Sequence, residues 1–340
     1  MTSPPLLHVE RLRTWIATAA GPVRAVDDVS LEVGRGEAVG LVGESGSGKS
    51  ILARSIIGLL PPTAGTSGRV LLDGTDLLTA SEEVRQQVRG PRVGVVFQDA
   101  SRALNPVVRI GRQICEAMVR HLGISRNEAA ERAVALLTEV GVPDPRRRLR
   151  NYPHQLSGGM RQRIMIAIAL SCEPDLLIAD EPTTALDVTV QRQILDLLDR
   201  VRRSRGMGVV LISHDLGLVA GRTDRVAVMY AGRMVEQGPT ASVFATPRHR
   251  YTEALLASTP SLDAPRTARM RVISGALPDP RTPPPGCRFA PRCGARTDEC
   301  VVPGVDELVA SGAGHFHACA HPVARPQLQV VAVATGKVGA

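Results

Sequence analysis

Short, unbroken runs of apolar residues recur along the central part of the chain, and stretches with helical spacing separate them. Four such runs occupy residues 37–43, 93–97, 175–179 and 209–213. Runs of this length are typical of parallel strands that are covered on both faces. Helical periodicity over residues 51–60 and 190–202 alternates with these runs. The pattern therefore predicts an α/β fold built around a mainly parallel sheet.

Strands of a second kind are predicted outside these central runs. Residues 6–15 and 23–33 indicate a small N-terminal antiparallel sheet. Residues 225–230 and 233–237 have strand composition and are separated by Ala231-Gly232, so they predict a hairpin.

The same patterns suggest how the chain is divided. Strand signals vanish between residues 100 and 153, where helical spacing over 110–122 and 127–140 predicts a helical insert. Farther on, a Pro-rich linker at 278–286 leads into a short Cys-rich segment. The predicted parts are the first half of the core with the β-subdomain (1–99), a helical subdomain (100–153), the second half of the core (154–245), a C-terminal extension (246–325) and a tail (326–340).

Composition narrows the classes of protein that remain. The 340 residues carry a formal net charge of +8, but aromatic residues make up only 2% of them. Nucleic-acid binding would favour a basic face with stacking aromatic side chains, so no nucleic-acid partner is expected. No apolar run approaches the roughly 18 residues of a membrane span, and the first 14 residues do not have the pattern of a signal peptide. We therefore expect a cytosolic protein or one that reaches a membrane through partners.

Residues 43–50 have the pattern G-x-x-x-x-G-K-S and lie between a predicted buried strand and a predicted helix. This is a Walker A motif, called the phosphate loop below. Only two of the 41 Lys and Arg residues are lysines, and Lys49 is one of them. A compact ammonium can reach in among nucleotide phosphates, where a planar guanidinium would clash. Loop N–H groups and the positive helix end would bind the phosphates, and Ser50 would offer its hydroxyl to Mg²⁺. The candidate nucleotide-binding residues are Gly43, Glu44, Ser45, Gly46, Ser47, Gly48, Lys49 and Ser50.

A second serine- and glycine-rich helix start follows at Ser157-Gly158-Gly159, ahead of an apolar helix predicted over 164–170. A bare helix N-terminus of this kind can hold an anion. Two such phosphate-binding helix starts in one chain resemble the ATP-binding cassette (ABC) family, whose signature motif is Leu-Ser-Gly-Gly-x. In that family the signature of one subunit covers the γ-phosphate held by the Walker A loop of another. The resemblance implies a RecA-like P-loop core and a head-to-tail pair with two composite ATP sites.

Further motifs of the family follow in its usual order. Asp180 ends an apolar run and matches the Walker B aspartate, which orients Mg²⁺. Glu181 matches the catalytic glutamate, which polarises the attacking water. Gln98 matches the Q-loop glutamine, which contacts the metal and the water and senses the membrane partner. Asp187, in Ala185-Leu186-Asp187, matches the D-loop, which crosses the dimer seam.

Two more residues are assigned by the same resemblance. His214 follows the run at 209–213 and matches the switch histidine on the γ-phosphate. Trp15 matches the aromatic residue that stacks on adenine, although a core tryptophan on a strand is an equal alternative. A guanine-reading Asn-Lys-x-Asp motif is impossible, because the other lysine is Lys337. A GTPase is thereby excluded.

The resemblance extends to one branch of the family. The sequence Pro-Arg-His-Arg-Tyr-Thr at 247–252, Pro260, the Cys-containing stretch 284–293 and Cys300 are similar to the segment after the cassette in ATPase subunits of oligopeptide and dipeptide importers. The likeness covers about residues 6–322 and implies an ATP-hydrolysing subunit that powers peptide import. Related nickel and sugar importers share much of it. A soluble ABC ATPase is a rival, but such proteins usually carry two cassettes or a long coiled-coil insertion.

Partners and location are also implied by the resemblance. The chain would pair with a second ATPase subunit, usually a different one in this branch, and with two transmembrane permease subunits. An extracellular binding protein would deliver the peptide to the permease, so that this chain does not bind the peptide directly. The expected location is the cytoplasmic face of the plasma membrane, as a peripheral subunit.

Four of the six cysteines lie close together in the sequence, at Cys287, Cys293, Cys300 and Cys319. In a cytosolic protein such a group favours metal binding over disulfides. The spacing does not fit a zinc ribbon, which needs paired C-x-x-C motifs. Some members of the peptide-importer branch hold a 4Fe–4S cluster in this region, and four thiolates suit one. A cluster, a zinc ion and unliganded thiols are all left open.

Overall fold

A computed structural model of the chain describes residues 4–183, 186–258 and 272–324. The predicted positions Ala185 and Pro260 and the predicted tail at 326–340 lie outside these ranges. The chain divides into two compact units. Of the described residues, the first unit contains 4–7, 33–37, 71–183 and 186–212, and the second contains 8–32, 38–70, 213–258 and 272–324.

The secondary structure combines strands and helices throughout the described ranges. The strands are β1 (Leu7–Ile16), β2 (Val23–Val33), β3 (Ala38–Val42), β4 (Ala64–Leu72), β5 (Thr75–Asp76), β6 (Val93–Val96), β7 (Leu176–Asp180), β8 (Gly208–Ser213), β9 (Arg225–Tyr230), β10 (Arg233–Pro239), β11 (Val309–Gly312) and β12 (His315–His317). The helices are α1 (Lys49–Ile56), α2 (Glu82–Val88), α3 (Ala100–Ala103), α4 (Ile110–Leu122), α5 (Arg126–Glu139), α6 (Pro145–Arg148), α7 (Gly158–Leu170), α8 (Val188–Arg205), α9 (Leu216–Val219), α10 (Thr240–Ala245) and α11 (Arg250–Ala257). None of these helices is long and apolar enough to cross a bilayer.

The first unit is organised around three parallel strands. β7 pairs in parallel with β6 on one side and with β8 on the other. Every residue of β7 and β8 is buried, as expected for strands covered on both faces. Helix α7 packs so closely on β6 that a Cβ atom at Gly94 would clash with the carbonyl oxygen of Ala169. The predicted α/β fold with parallel strands is confirmed here.

Helices α3 to α7 of the first unit follow one another without an intervening strand in the described chain. Helix α4 ends at Gly123, which has a left-handed conformation, and α5 begins after Ser125, whose hydroxyl accepts the N–H of Glu128 at 3.2 Å. Such caps satisfy groups that the helix itself leaves unpaired. The apolar side chains of α4 and α5 that are fully covered are Ile110, Ile114, Met118, Ala129, Ala133 and Leu137.

The second unit contains the hairpin that the sequence predicted. β9 and β10 pair antiparallel, and Ala231 and Gly232 turn between them with φ of 45° and 85°. β9 also pairs in parallel with β3, and β10 pairs antiparallel with β12. β12 in turn pairs with β11, so the last two strands come from the C-terminal extension. The N-terminal strands belong to a separate sheet, in which β1 lies between β2 and β4.

Candidate functional site

The phosphate loop lies in the second unit, between β3 and α1. Gly43, Gly46 and Gly48 have φ of 153°, 82° and 102°, which side chains with a Cβ atom rarely adopt. Space is also restricted, because a Cβ atom at Gly43 would clash with the carbonyl oxygen of Met229. The hairpin turn supports the loop from the same side, since the N–H of Gly232 donates to the carbonyl of Ser47 at 2.8 Å. The glycines are therefore required by the shape of the loop.

Lys49 is the first residue of α1, and its side chain folds back over the loop. Only 4% of the residue is exposed. Its Nζ donates to the carbonyl oxygens of Gly43 at 2.7 Å and Glu44 at 2.9 Å, and to the hydroxyl of Ser47 at 3.3 Å. Loop N–H groups and the start of a helix are groups that can bind an anionic phosphate. The half-buried Ser50 follows in the first turn of the same helix.

The predicted catalytic carboxylates lie in the first unit, where β7 ends. Asp180 is the last residue of β7 and is 6% exposed. Glu181 has φ of 46°, and its N–H donates to the carbonyl of Ile212 at 3.0 Å. A carboxylate in this left-handed conformation is held by its surroundings, which is common at functional sites.

Gln98 and Glu181 are brought into direct contact. Because β6 and β7 are parallel neighbours, the residues that follow them emerge at the same edge of the sheet. The Nε2 of Gln98 donates to Oε2 of Glu181 at 2.7 Å. The structure thus places the Q-loop candidate, the Walker B candidate and the candidate base together.

The signature residues form the start of α7, also in the first unit. The hydroxyl of Ser157 accepts the N–H of Met160 at 3.3 Å and caps the helix. Asp187 caps α8 in the same way, accepting the N–H of Val190 at 2.9 Å. The two helix starts lie side by side, because a Cβ atom at Gly159 would come within 3.0 Å of Val190. Ser157, Gly158 and Asp187 are exposed.

The remaining two nucleotide-site candidates lie in the second unit. His214 is exposed just after β8. Trp15 lies on β1 with 39% of its surface exposed, so it is not a core residue. Its indole ring covers Gly65 on β4, where any Cβ atom would overlap the ring.

The four clustered cysteines are free thiols in the structure. Cys287 and Cys300 are buried, and the N–H of Cys287 donates to the carbonyl of Cys300 at 2.8 Å. Burial raises the pKa of Cys287 to about 11 and raises the pKa values of Cys293 and Cys319. Within residues 4–183, 186–258 and 272–324, no three His, Cys, Asp or Glu side chains are arranged to hold a metal ion. The predicted 4Fe–4S cluster therefore receives no support from the structure.

Two side chains of the C-terminal extension contact the phosphate loop, and neither was assigned a role from the sequence. The hydroxyl of Tyr251 accepts the N–H of Glu44 at 2.8 Å, and Arg292 binds the Glu44 carboxylate at 2.7 Å. Both partners lie more than 200 positions from Glu44, so no local pattern could indicate the contacts.

A phosphate loop, a carboxylate pair at a strand end and an exposed serine–glycine helix start define an ATPase of the ABC class. The family described as "ABC transporter" matches residues 26–184, and the family described as "Oligopeptide/dipeptide transporter, C-terminal region" matches residues 235–300. The chain is 49% identical over 303 residues to the dipeptide transport ATP-binding protein DppD of Bacillus subtilis, covering 88% of this chain and 90% of DppD. The chain therefore belongs to the ABC transporter ATPase family.

Solved structures agree with this assignment. The dimeric ABC transporter cassette MJ0796 superimposes with a TM-score of 0.62 at 27% identity, covering 69% of this chain and 98% of the cassette. CbiO1 of Clostridium perfringens, part of the ABC transporter complex cbiONQ, gives a TM-score of 0.61 at 30% identity over 72% of this chain and 92% of its own. The predicted RecA-like core of an ABC ATPase is thus confirmed.

Proposed function

We propose that this chain is the ATP-binding and ATP-hydrolysing subunit that powers peptide import through a multisubunit ABC transporter. The observation that carries the proposal is the near-complete match to a dipeptide transport ATP-binding protein, which includes the C-terminal region. An importer of nickel or another solute is the alternative from within the family. The peptide-transporter C-terminal match favours peptides.

In this proposal the phosphate loop binds the β- and γ-phosphates of ATP. Lys49 exchanges its contacts with loop carbonyls for contacts with phosphate oxygens, and Ser50 supplies its hydroxyl to Mg²⁺. Asp180 orients the Mg²⁺ and its water, and Gln98 contributes a further contact to the ion. Trp15 is assigned to stack on the adenine ring.

Glu181 is proposed as the general base that polarises the attacking water. Its carboxylate accepts a hydrogen bond from the side-chain amide of Gln98, so the Q-loop holds the base in place before nucleotide binds. His214 is proposed to contact the γ-phosphate. Because Gln98 also precedes the helical subdomain at 100–153, a shift of that subdomain would be passed to the base.

We further propose that two ATPase subunits enclose the nucleotides between them. The helix start at Ser157, Gly158 and Gly159, of which the first two residues are exposed, would cover the γ-phosphate bound by the partner, and Asp187 would lie at the seam. The similar cassette MJ0796 is described as a dimer, which supports this arrangement. The partner is proposed to be a related ATPase subunit rather than a second copy.

The ATPase pair would act on two permease subunits at the cytoplasmic face of the plasma membrane. The helical subdomain is the proposed docking element, and the chain would be a peripheral subunit. An extracellular binding protein would supply the peptide through the permease. The ligand state of the four clustered cysteines is tested separately. Iron and sulfide analysis of anaerobically purified protein distinguishes a 4Fe–4S cluster from zinc or free thiols.

The function is tested by assembling the chain with its permease and ATPase partners in proteoliposomes. ATP hydrolysis should rise when a peptide-loaded binding protein is added, and labelled peptide should accumulate inside. Nickel salts serve as the competing cargo. Accumulation of nickel without peptide transport would overturn the peptide assignment and leave the ATPase assignment intact.

A further inference from the structure

Glu44, the second residue of the phosphate loop, is held by every one of its polar groups. Its N–H donates to the hydroxyl of Tyr251 at 2.8 Å, and its carbonyl accepts from Nζ of Lys49 at 2.9 Å. Its carboxylate accepts two hydrogen bonds from Arg292, at 2.7 and 3.2 Å. The carbonyl also accepts the N–H of Ser47 at 3.1 Å, so two of the four partners come from the C-terminal extension.

Arg292 is fixed as firmly as the residue that it binds. Beyond the two bonds to Glu44, it donates to the hydroxyl of Tyr230 at 3.3 Å and to the carbonyls of Ile273 at 3.0 Å and Ser274 at 2.9 Å. These five bonds use all five N–H groups of a guanidinium. Only 6% of the side chain is exposed. The hydrogen bond to Glu44 raises the pKa of Arg292, so the guanidinium stays charged.

Aromatic packing supports this connection. The rings of Tyr230 and Tyr251 are 4.6 Å apart, and Phe289 lies 5.3 and 5.4 Å from them. Tyr230 ends β9, the parallel neighbour of the strand that leads into the loop. Leu277 also lies near the loop, with a side-chain atom 3.4 Å from where a Cβ atom at Gly46 would be.

An acidic side chain in a phosphate-binding loop creates an electrostatic problem. A carboxylate close to the phosphates of ATP would repel them, unless an opposite charge neutralises it. The bidentate pair with Arg292 supplies that charge, and its fork geometry also fixes the carboxylate's direction.

We propose that Arg292 is a positioning residue for the phosphate loop: it neutralises Glu44 and holds the loop in the shape that receives ATP. This inference rests on the proposed ATP-binding function. Lys49 must release the Glu44 carbonyl to reach a phosphate, and Arg292 and Tyr251 then keep Glu44 in place. When the loop already has the shape that it takes with ATP bound, less of the free energy of ATP binding is used to order the loop. The effect should fall on nucleotide affinity, because the proposed base Glu181 belongs to different elements.

The test measures MgATP affinity by calorimetry on the purified full chain. Arg292→Gln should raise the Kd roughly tenfold, which corresponds to about 1.4 kcal/mol. The double variant Glu44→Gln/Arg292→Gln should regain affinity to within about threefold of the unchanged chain, because the unpaired negative charge is gone. Arg281→Gln is the matched control, since Arg281 pairs only with its exposed neighbour Asp279 among the contacts of the described extension.

Each outcome has a separate meaning. Rescue by the double variant supports the inference, because a purely structural loss would not be repaired by removing a second partner. Equal weakness of the single and double variants, at unchanged circular dichroism, would overturn charge neutralisation. Normal affinity in Arg292→Gln would overturn the positioning role. Failure of the unchanged chain to bind MgATP would instead contradict the proposed function. The Lys49→Ala variant shows how weak binding becomes when the phosphate site is lost.

Discussion

Glu236 is a buried carboxylate that joins the cassette to its C-terminal extension. It lies on β10 with no exposed surface. Oε1 accepts the N–H of Arg248 at 2.7 Å and the Nε2–H of His315 at 2.7 Å, and Oε2 accepts the N–H of His249 at 2.9 Å. All three donors belong to the extension. We predict that replacing Glu236 destabilises the second unit in a graded manner.

The magnitude follows from the hydrogen bonds. Glu236→Gln keeps the shape but turns one acceptor into an NH₂ group, so at least one buried donor loses its partner, at about 1–3 kcal/mol. Glu236→Ala removes the acceptor for all three donors, and the loss should reach about 3–5 kcal/mol, as for other buried charged groups that lose a partner. This is a large part of the roughly 5–15 kcal/mol that stabilises a typical domain.

Urea unfolding followed by tryptophan fluorescence measures the change. Trp15 is the only tryptophan and belongs to the same unit as Glu236, so the signal reports on the correct part of the chain. Glu10→Gln is the control, since Glu10 and Arg69 form an exposed pair at 3.6 Å that should be worth about 0–1 kcal/mol. The reasoning is refuted if Glu236→Gln matches the unchanged chain, or if Glu10→Gln loses as much stability.

Two further predictions concern the close approach of β6 to α7 and the lysine of the phosphate loop. Gly94→Ala should lower the free energy of unfolding by about 1–3 kcal/mol, because its Cβ would meet the Ala169 carbonyl. Gly294→Ala has open space and should leave the free energy of unfolding unchanged. Chemical denaturation of the two variants measures the difference. Lys49→Ala should weaken MgATP binding by at least about tenfold in calorimetry, since a phosphate loses its ammonium partner, and unchanged affinity would contradict the assignment.

The sequence anticipated the elements that depend on local pattern. The runs that became β3, β6, β7 and β8 are continuous and apolar, and each is buried along nearly its whole length. The motif at the start of α7 could also be recognised from the sequence, because the capping residue Ser157 and its glycines are neighbours in the chain. These features need no knowledge of distant contacts.

Other elements had no comparable signal. β4 is mostly exposed or half-buried and reads as a Gly- and Thr-containing loop, and β11 is exposed along three of its four residues. The tie between Arg292 and Glu44 joins positions 248 residues apart, so only the folded chain brings them together. The burial that raises the pKa of Cys287 likewise cannot be inferred from the spacing of the cysteines in the sequence.

ATP turnover by the Glu181→Gln variant tests the central claim most directly. The variant should bind MgATP as well as the unchanged chain does, because Lys49 and the phosphate loop are intact. Its rate of hydrolysis in the assembled transporter should fall by about 10²–10⁴-fold, the usual contribution of a general base. Hydrolysis at close to the normal rate, with MgATP bound normally, would contradict the assignment of Glu181 as the base.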